Sequence, residues 1–140
     1  MKKLILDTNV IVSALISNSI PARILYDLAL TQKVQVCLSD EVFAEYVEVL
    51  NRGKFSKFAN FRTKADVVLN RLRETAIFYK TDLKVEVLTD TSDNKFLELA
   101  AASAADYLIT GNTLDFTITE FEYTRILTPR AYWDDFTPKE

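Results

Sequence analysis

The sequence of 140 residues contains no histidine, a single cysteine and two glycines. Without an imidazole it cannot form a Ser-His-Asp or Cys-His catalytic group or a histidine-containing zinc site. The lone Cys37 excludes an internal disulfide and any multi-cysteine metal centre. Gly53 and Gly111 stand far apart, so glycine-rich phosphate-binding loops are excluded as well. If the protein is an enzyme, its reactive groups are therefore expected to be carboxylates.

Long hydrophobic runs are also missing. No stretch of about 18 apolar residues occurs, and the apolar run 4–6 is too short for the core of a signal peptide. We therefore expect a cytoplasmic protein with no membrane segment. A chain of this length with 49% hydrophobic residues is predicted to form a single domain over 1–140 with a substantial core.

Charge is unevenly distributed along the chain, although the net charge is only −3. Between Arg52 and Arg73 there are seven basic residues and one acid, which leaves that segment at +6 and the remainder at −9. The first part of the segment also contains Phe55, Phe58 and Phe61, which could stack on bases of a single strand. Their spacing of three residues favours the alternative, that they pack one helical face into the core.

The apolar pattern predicts alternating strands and helices. Strands are expected at 3–6, 34–38, 107–110 and 125–127, and an extended segment at 85–88. Helices are expected from Pro21, from a cap at Ser39 to about 51–53, over 64–79 with Val67, Val68, Leu72 and Ile77 inward, and over 93–105. This order is typical of an α/β protein, a three-layer α/β/α sandwich with a central parallel sheet.

Acidic and amide residues follow the predicted strands. Asp7 ends the first strand, Glu45 lies in the helix after the second, Asp93 begins a helix, and Asn112 and Asp115 follow the strand that ends at Thr110. Parallel sheets bind ligands beyond the carboxyl ends of their strands. Carboxylates that meet there repel one another unless a hard cation such as Mg²⁺ or Mn²⁺ is bound between them.

Each of these acids also has a purely structural explanation. Glu41, Glu45 and Glu48 form a helical stripe that is typical of a solvated face. Asp93 can simply complement a helix dipole, as can the neighbouring Asp90. Taken one at a time, the residues leave both explanations open.

Their order along the chain resembles the PIN-domain family of small nucleases. Segments 4–13 with Asp7-Thr8-Asn9, 38–50 with Glu45, 90–100 with Asp93, 105–112 ending in Thr110-Gly111-Asn112, and 126–129 carry the resemblance. The resemblance implies a Mg²⁺- or Mn²⁺-dependent ribonuclease with Asp7, Glu45 and Asp93 as catalytic metal ligands. Thr8, Asn9 and Thr110 would orient these ligands.

The resemblance further implies a toxin-type (VapC-like) protein whose partners are an RNA substrate, a cognate antitoxin protein and a second copy in a homodimer. Carboxylates repel an RNA backbone, so a cationic surface is needed to bind it. We expect Arg52, Lys54, Lys57 and Arg62 to provide that surface.

One position departs from the family pattern, because many members carry an aspartate where this chain has Asn112. The amide of Asn112 can still coordinate a metal through its oxygen or hold a metal-bound water, but it removes one charge; Asp115 is the alternative ligand at this corner. An alternative function is therefore a catalytically weakened module that binds RNA or protein. A receiver-like flavodoxin fold fits less well, because Thr8-Asn9 supplies no second acid after Asp7.

Overall fold

The protein is described by a computed structural model over residues 1–82, 84, 93–111 and 118–138. Its strands are β1 (Lys3–Leu6), β2 (Gln35–Leu38), β3 (Ile77–Phe78), β4 (Tyr107–Ile109), β5 (Glu120–Phe121) and β6 (Thr124–Leu127). Its α-helices are α1 (Thr8–Ile16), α2 (Ile20–Arg23), α3 (Asp40–Leu50), α4 (Phe61–Thr75), α5 (Asn94–Ser103) and α6 (Pro129–Phe136). A π-helical turn, Ile24–Ala29, continues α2, and a 3₁₀ turn, Gly53–Phe55, precedes α4.

These strands form one sheet in the order β3-β2-β1-β4-β6-β5, and helices flank it. All pairings are parallel except the short β5–β6 hairpin. The predicted α/β sandwich with a central parallel sheet is thus confirmed. Leu4, Ile5 and Leu6 of β1 are fully buried, as expected for a strand paired on both sides and covered on both faces.

Helix α1 starts immediately after Asp7, with no loop between strand and helix. No helix is predicted at 8–16 from the sequence, because β-branched Val10, Ile11 and Val12 favour a strand locally. Burial of Val10, Ile11 and Leu15 against the core outweighs that preference. The abrupt change from strand to helix fixes Asp7 at the carboxyl edge of the sheet.

Helix α3 begins as predicted, because the Ser39 side chain accepts a hydrogen bond from the backbone N–H of Val42 at 3.1 Å. Asp40 and Glu41 lie in its first turn, where their negative charges interact favourably with the positive end of the helix dipole. Since β2 ends one residue before this cap, α3 also starts at the carboxyl edge of the sheet.

Two predictions about the third helical segment are wrong. The helix ends at Thr75, so Ile77 lies in edge strand β3 and is 44% exposed rather than inward. Val67 is 59% exposed because the buried face of α4 is formed by Phe61, Ala65, Val68, Leu69 and Leu72. Strand β5 was not predicted, and the extended segment expected at 85–88 lies outside the described residues.

Phe55 and Phe61 stack on each other with centroids 4.9 Å apart, and both are buried. Phe58 packs partly buried against the same core. The core-packing alternative for the phenylalanines is therefore confirmed, although they do not share one continuous helix. No helix in the described part of the chain is long and apolar enough to cross a membrane.

Candidate active site

Asp7 is held at the carboxyl end of the central strand and is only 3% exposed. Its backbone N–H continues the sheet by donating to the carbonyl of Ile109 at 2.9 Å. Thr110, one residue after β4, donates its hydroxyl to Oδ2 of Asp7 at 2.7 Å. The carboxylate is therefore fixed between the two central strands, where parallel sheets bind ligands.

Glu45 reaches the same edge from α3. Its Oε2 accepts a hydrogen bond from the hydroxyl of Thr8, the residue next to Asp7. Its Oε1 lies 2.9 Å from Nζ of Lys95, which is in the first turn of α5. The Glu45 side chain is 18% exposed, so it faces a partly buried site and not the solvated face that its helical stripe suggested.

Tyr46 fixes α3 against β1. The fully buried ring places its hydroxyl to donate to the carbonyl of Leu6, the residue before Asp7. Burial raises the pKa of this phenol well above its ordinary value of 10.0, so the hydroxyl remains a donor at neutral pH. Glu45 is thereby kept beside Asp7 through a neighbouring residue of the same helix.

The pKa of Asp7 is raised from 3.8 to about 6, chiefly by burial and also by the negative charge of Glu45. The Thr110 hydroxyl and the backbone amides of Thr8 and Asn9 oppose this shift by stabilising the ionised form. The net result is a carboxylate whose charge is destabilised by its surroundings. A bound cation would remove that cost.

Asp93 lies at the start of α5, two residues before Lys95. Because Lys95 contacts Glu45, the amino-terminal end of α5 is adjacent to the Asp7–Glu45 pair. Asn112 and Asp115 lie outside the described residues. Within the ranges that the structure describes, no three Asp, Glu, Cys or His side chains are gathered closely enough to hold a metal ion. A shared role for Asp93 remains a prediction.

The residues present nevertheless fit a divalent cation. Asp7 and Glu45 offer carboxylate oxygens, the ligands that Mg²⁺ and Mn²⁺ prefer, and one of them is buried with an unfavourable charge. Mg²⁺ usually keeps several waters and takes only one or two carboxylates from the protein. A site built on two acids is therefore chemically sufficient to begin a coordination shell.

A groove opens beside this pair. A cavity of about 460 Å³ is lined by Asn9, Val10, Ser13, Pro21, Gly111 and Pro129. Asn9 is exposed and lines this cavity, whereas Thr8 and Thr110 hydrogen-bond the two acids. The cavity therefore borders the segments that follow β1 and β4.

The predicted basic surface follows the end of α3. Arg52 pairs with Glu48 at 2.9 Å, and Arg62 pairs with Asp66 at 2.8 Å. Lys54 and Lys57 are exposed, with their ammonium groups over the adjacent phenylalanine rings. Helix α3 starts at the carboxyl edge and ends at Leu50, so Arg52 lies just beyond its far end. A role for these basic residues in binding RNA remains a prediction.

Lys95 and Tyr46 were missed by the sequence analysis. Lys95 lies two residues after Asp93, inside a segment already singled out, but an isolated lysine in a helix is ordinarily solvated. Tyr46 is one of six tyrosines and carries no motif of its own. Their roles depend on contacts between distant segments, which no local pattern reports.

The protein is thus an α/β protein with two carboxylates, Asp7 and Glu45, at the carboxyl edge of its sheet, and these carboxylates suit a divalent cation. The family model described as PIN domain matches residues 3–114. The chain therefore belongs to the PIN domain family. It is also 31% identical over 111 residues to an uncharacterised protein of Methanocaldococcus jannaschii, covering 79% of this chain and 70% of that protein. PIN domains are generally nucleases that use divalent metal ions and act on nucleic acids.

Proposed function

We propose that the protein is an endoribonuclease that hydrolyses RNA phosphodiester bonds with Mg²⁺ or Mn²⁺. The observation that carries the proposal is the buried Asp7 carboxylate, whose charge is disfavoured by burial and by Glu45. Among the residues that the structure describes, this carboxylate receives hydroxyl and amide donors and no cationic side chain. Such an arrangement is typical of a functional site.

Asp7 and Glu45, with Asp93 as a third ligand, would hold the ion, which when bound activates water and neutralises the charge of the phosphate. The hydroxyl of Thr110 holds the carboxylate of Asp7 in place, and the hydroxyl of Thr8 holds that of Glu45. Tyr46 keeps α3 in register with β1. Arg52, Lys54, Lys57 and Arg62 bind backbone phosphates and offset the repulsion between RNA and the acids.

Asp7→Asn tests the catalytic part of the proposal. We expect it to reduce RNA cleavage in Mn²⁺ at least about 100-fold, because the amide supplies no charge to the ion. The matched control is Asp106→Asn, which changes the same residue type at the opposite edge of the sheet and should retain cleavage. Equal cleavage by wild type and Asp7→Asn, in preparations freed of other nucleases, would contradict the proposal.

We also propose that the protein is the toxin of a bacterial toxin–antitoxin pair and acts with a cognate antitoxin and as a homodimer. Support comes from the sequence resemblance to toxin-type PIN domains. Expression of wild type in a bacterial host should arrest growth, and Asp7→Asn should not. A small neighbouring reading frame that encodes a DNA-binding pattern should relieve the arrest when co-expressed. Normal growth with an active, soluble nuclease would contradict the toxin role.

A weakened module that binds RNA or protein is the second candidate. It is favoured by the neutral Asn112 and by the pairing of Glu45 with Lys95. Asn112→Asp should tighten Mn²⁺ binding if the missing charge limits the site, and Asp115→Asn should weaken it if Asp115 replaces that charge. RNA binding without cleavage in wild type, and cleavage gained in Asn112→Asp, would favour this second candidate.

A further inference from the structure

Lys95 forms an ion pair that differs from those on the protein surface. Its Nζ lies 2.9 Å from Oε1 of Glu45, and the side chains are 26% and 18% exposed. In the surface pairs Arg52–Glu48 and Arg62–Asp66, all four side chains are at least 48% exposed. Lys95 and Glu45 are 50 residues apart in sequence, and their contact joins α5 to α3. Partial burial makes such a pair stronger than an exposed one.

Both carboxylate oxygens of Glu45 already accept a hydrogen bond, and one of them accepts it from the Lys95 ammonium. Thr8 donates to one carboxylate oxygen and the ammonium of Lys95 to the other. A hydroxyl can remain while its acceptor oxygen coordinates an ion through the other lone pair. An ammonium on the same oxygen cannot remain, because its positive charge would lie within a few ångströms of the ion. A divalent cation that coordinates Oε1 of Glu45 must therefore displace the Lys95 ammonium, and one on Oε2 is repelled by it.

Asp7 is in the opposite situation. Thr110 donates to it, and Glu45 is the neighbouring charge that acts on it. The positive charge nearest to the pair in the described contacts is therefore carried by Lys95, on the Glu45 side. The ammonium of Lys95 neutralises Glu45, whereas the buried Asp7 has no positive charge beside it in the described contacts.

We propose that Lys95 is the resident counter-cation of the Asp7–Glu45 pair and that a divalent metal ion binds by displacing its ammonium from Glu45. The inference rests on the proposed function in requiring a divalent ion at this pair. Lys95 acts as a positioning residue, because it holds the Glu45 carboxylate in place before the ion arrives. It also lowers the affinity of the site for the ion.

The test compares the full-length wild type with Lys95→Met, which keeps the length of the side chain and removes its charge. Calorimetry measures Mn²⁺ affinity, and thermal unfolding is followed with and without saturating Mn²⁺. Lys95→Met should bind Mn²⁺ about tenfold more tightly or better, since one adjacent charge shifts carboxylate equilibria by that order. Without metal it should melt several degrees lower, and Mn²⁺ should close most of that gap.

Two further variants serve as controls. Lys95→Arg keeps the charge and should retain wild-type stability and Mn²⁺ affinity to within about threefold. Lys64→Met removes an exposed lysine of α4 and should leave both unchanged. A Lys95→Met chain that folds only with Mn²⁺ would support the proposal. One that unfolds to the same extent with and without Mn²⁺, or binds Mn²⁺ no more tightly, would overturn it.

The outcomes separate this inference from the proposed function. Mn²⁺ binding and RNA cleavage by wild type, with no gain of affinity in Lys95→Met, would contradict the counter-cation role alone. Weak Mn²⁺ binding and no cleavage by wild type, with tight binding by Lys95→Met, would support the counter-cation role and contradict catalysis. Absence of Mn²⁺ binding from both proteins would contradict both proposals.

Discussion

The two edges of the central sheet use the same residue types in opposite ways. At the amino edge, Asp106 accepts a hydrogen bond from the backbone N–H of Lys3 at 2.8 Å and lies 4.0 Å from the ammonium of Lys2. At the carboxyl edge, Asp7 has a hydroxyl donor and a second carboxylate as its neighbours. The amino edge therefore pairs its acid with a cation, whereas the carboxyl edge places two acids together and pairs only Glu45, with Lys95.

The hydroxyl groups show the same contrast. Thr124 is fully buried near the amino edge and donates to the carbonyl of Ala105 at 2.7 Å, which ties two backbone segments together. Thr110 makes an equally short bond, but to the carboxylate of Asp7. Thr124 thus satisfies a backbone group of the fold, whereas Thr110 orients the Asp7 carboxylate without neutralising its charge.

The largest expected effect is that replacing an aspartate by asparagine stabilises the protein at the carboxyl edge and destabilises it at the amino edge. In metal-free protein at pH 7, Asp7→Asn should raise the free energy of unfolding by about 1–3 kcal/mol, because it removes a disfavoured buried charge. Asp106→Asn should lower it by about 1–2 kcal/mol, because it weakens charge-assisted contacts. Denaturant unfolding of both variants measures the two changes. Destabilisation by both substitutions would remove the contrast.

The stability difference between Asp7→Asn and wild type should depend on pH. Asp7 has a pKa of about 6 in the folded protein and 3.8 ordinarily, so its protonated form favours folding. The stability it contributes is present below pH 3.8 and is lost as the pH rises to about 6. The stability advantage of Asp7→Asn should therefore grow between pH 4 and pH 6 and then level off. A difference that stays constant over this range would contradict the raised pKa of Asp7.

A smaller effect is expected from removing the hydroxyl that orients Asp7. Thr110→Val should reduce RNA cleavage about tenfold, the order found for residues that orient metal ligands. Thr124→Val, its counterpart at the amino edge, should lose about 1 kcal/mol of stability and keep its cleavage rate. Cleavage assays and denaturant unfolding on both variants provide the measurements. Equal losses of activity would show that both threonines act only through the fold.

The smallest effect concerns the basic surface. Replacing Lys54 and Lys57 by glutamine should weaken single-stranded RNA binding a few-fold and reduce the slope of log affinity against log salt by about 0.7 per residue. Lys2→Gln at the amino edge should leave that slope unchanged. Fluorescence titrations at several salt concentrations measure it. An unchanged slope in the double variant would place the RNA elsewhere on the protein.

Strands β1, β2, β4 and β6 and the start of α3 could be predicted because their signals are local. Apolar runs end at Leu6, Leu38 and Ile109, and the capping serine lies directly before its helix. The helix at Thr8–Ile16 could not be predicted, since its β-branched residues favour another structure and only burial decides the outcome. Ile77 was wrongly predicted to be helical. It lies in edge strand β3, which forms only because β2 is available to pair with it.

The class of fold and a site built on carboxylates could be predicted from which residue types are present and how they alternate. Two contacts could not be predicted in this way: Glu45 lies beside Asp7 and is partly buried, and Lys95 contacts Glu45. Both facts depend on the packing of α3 and α5 against the sheet, because the electrostatic environment of a side chain is set by neighbours that are distant in sequence.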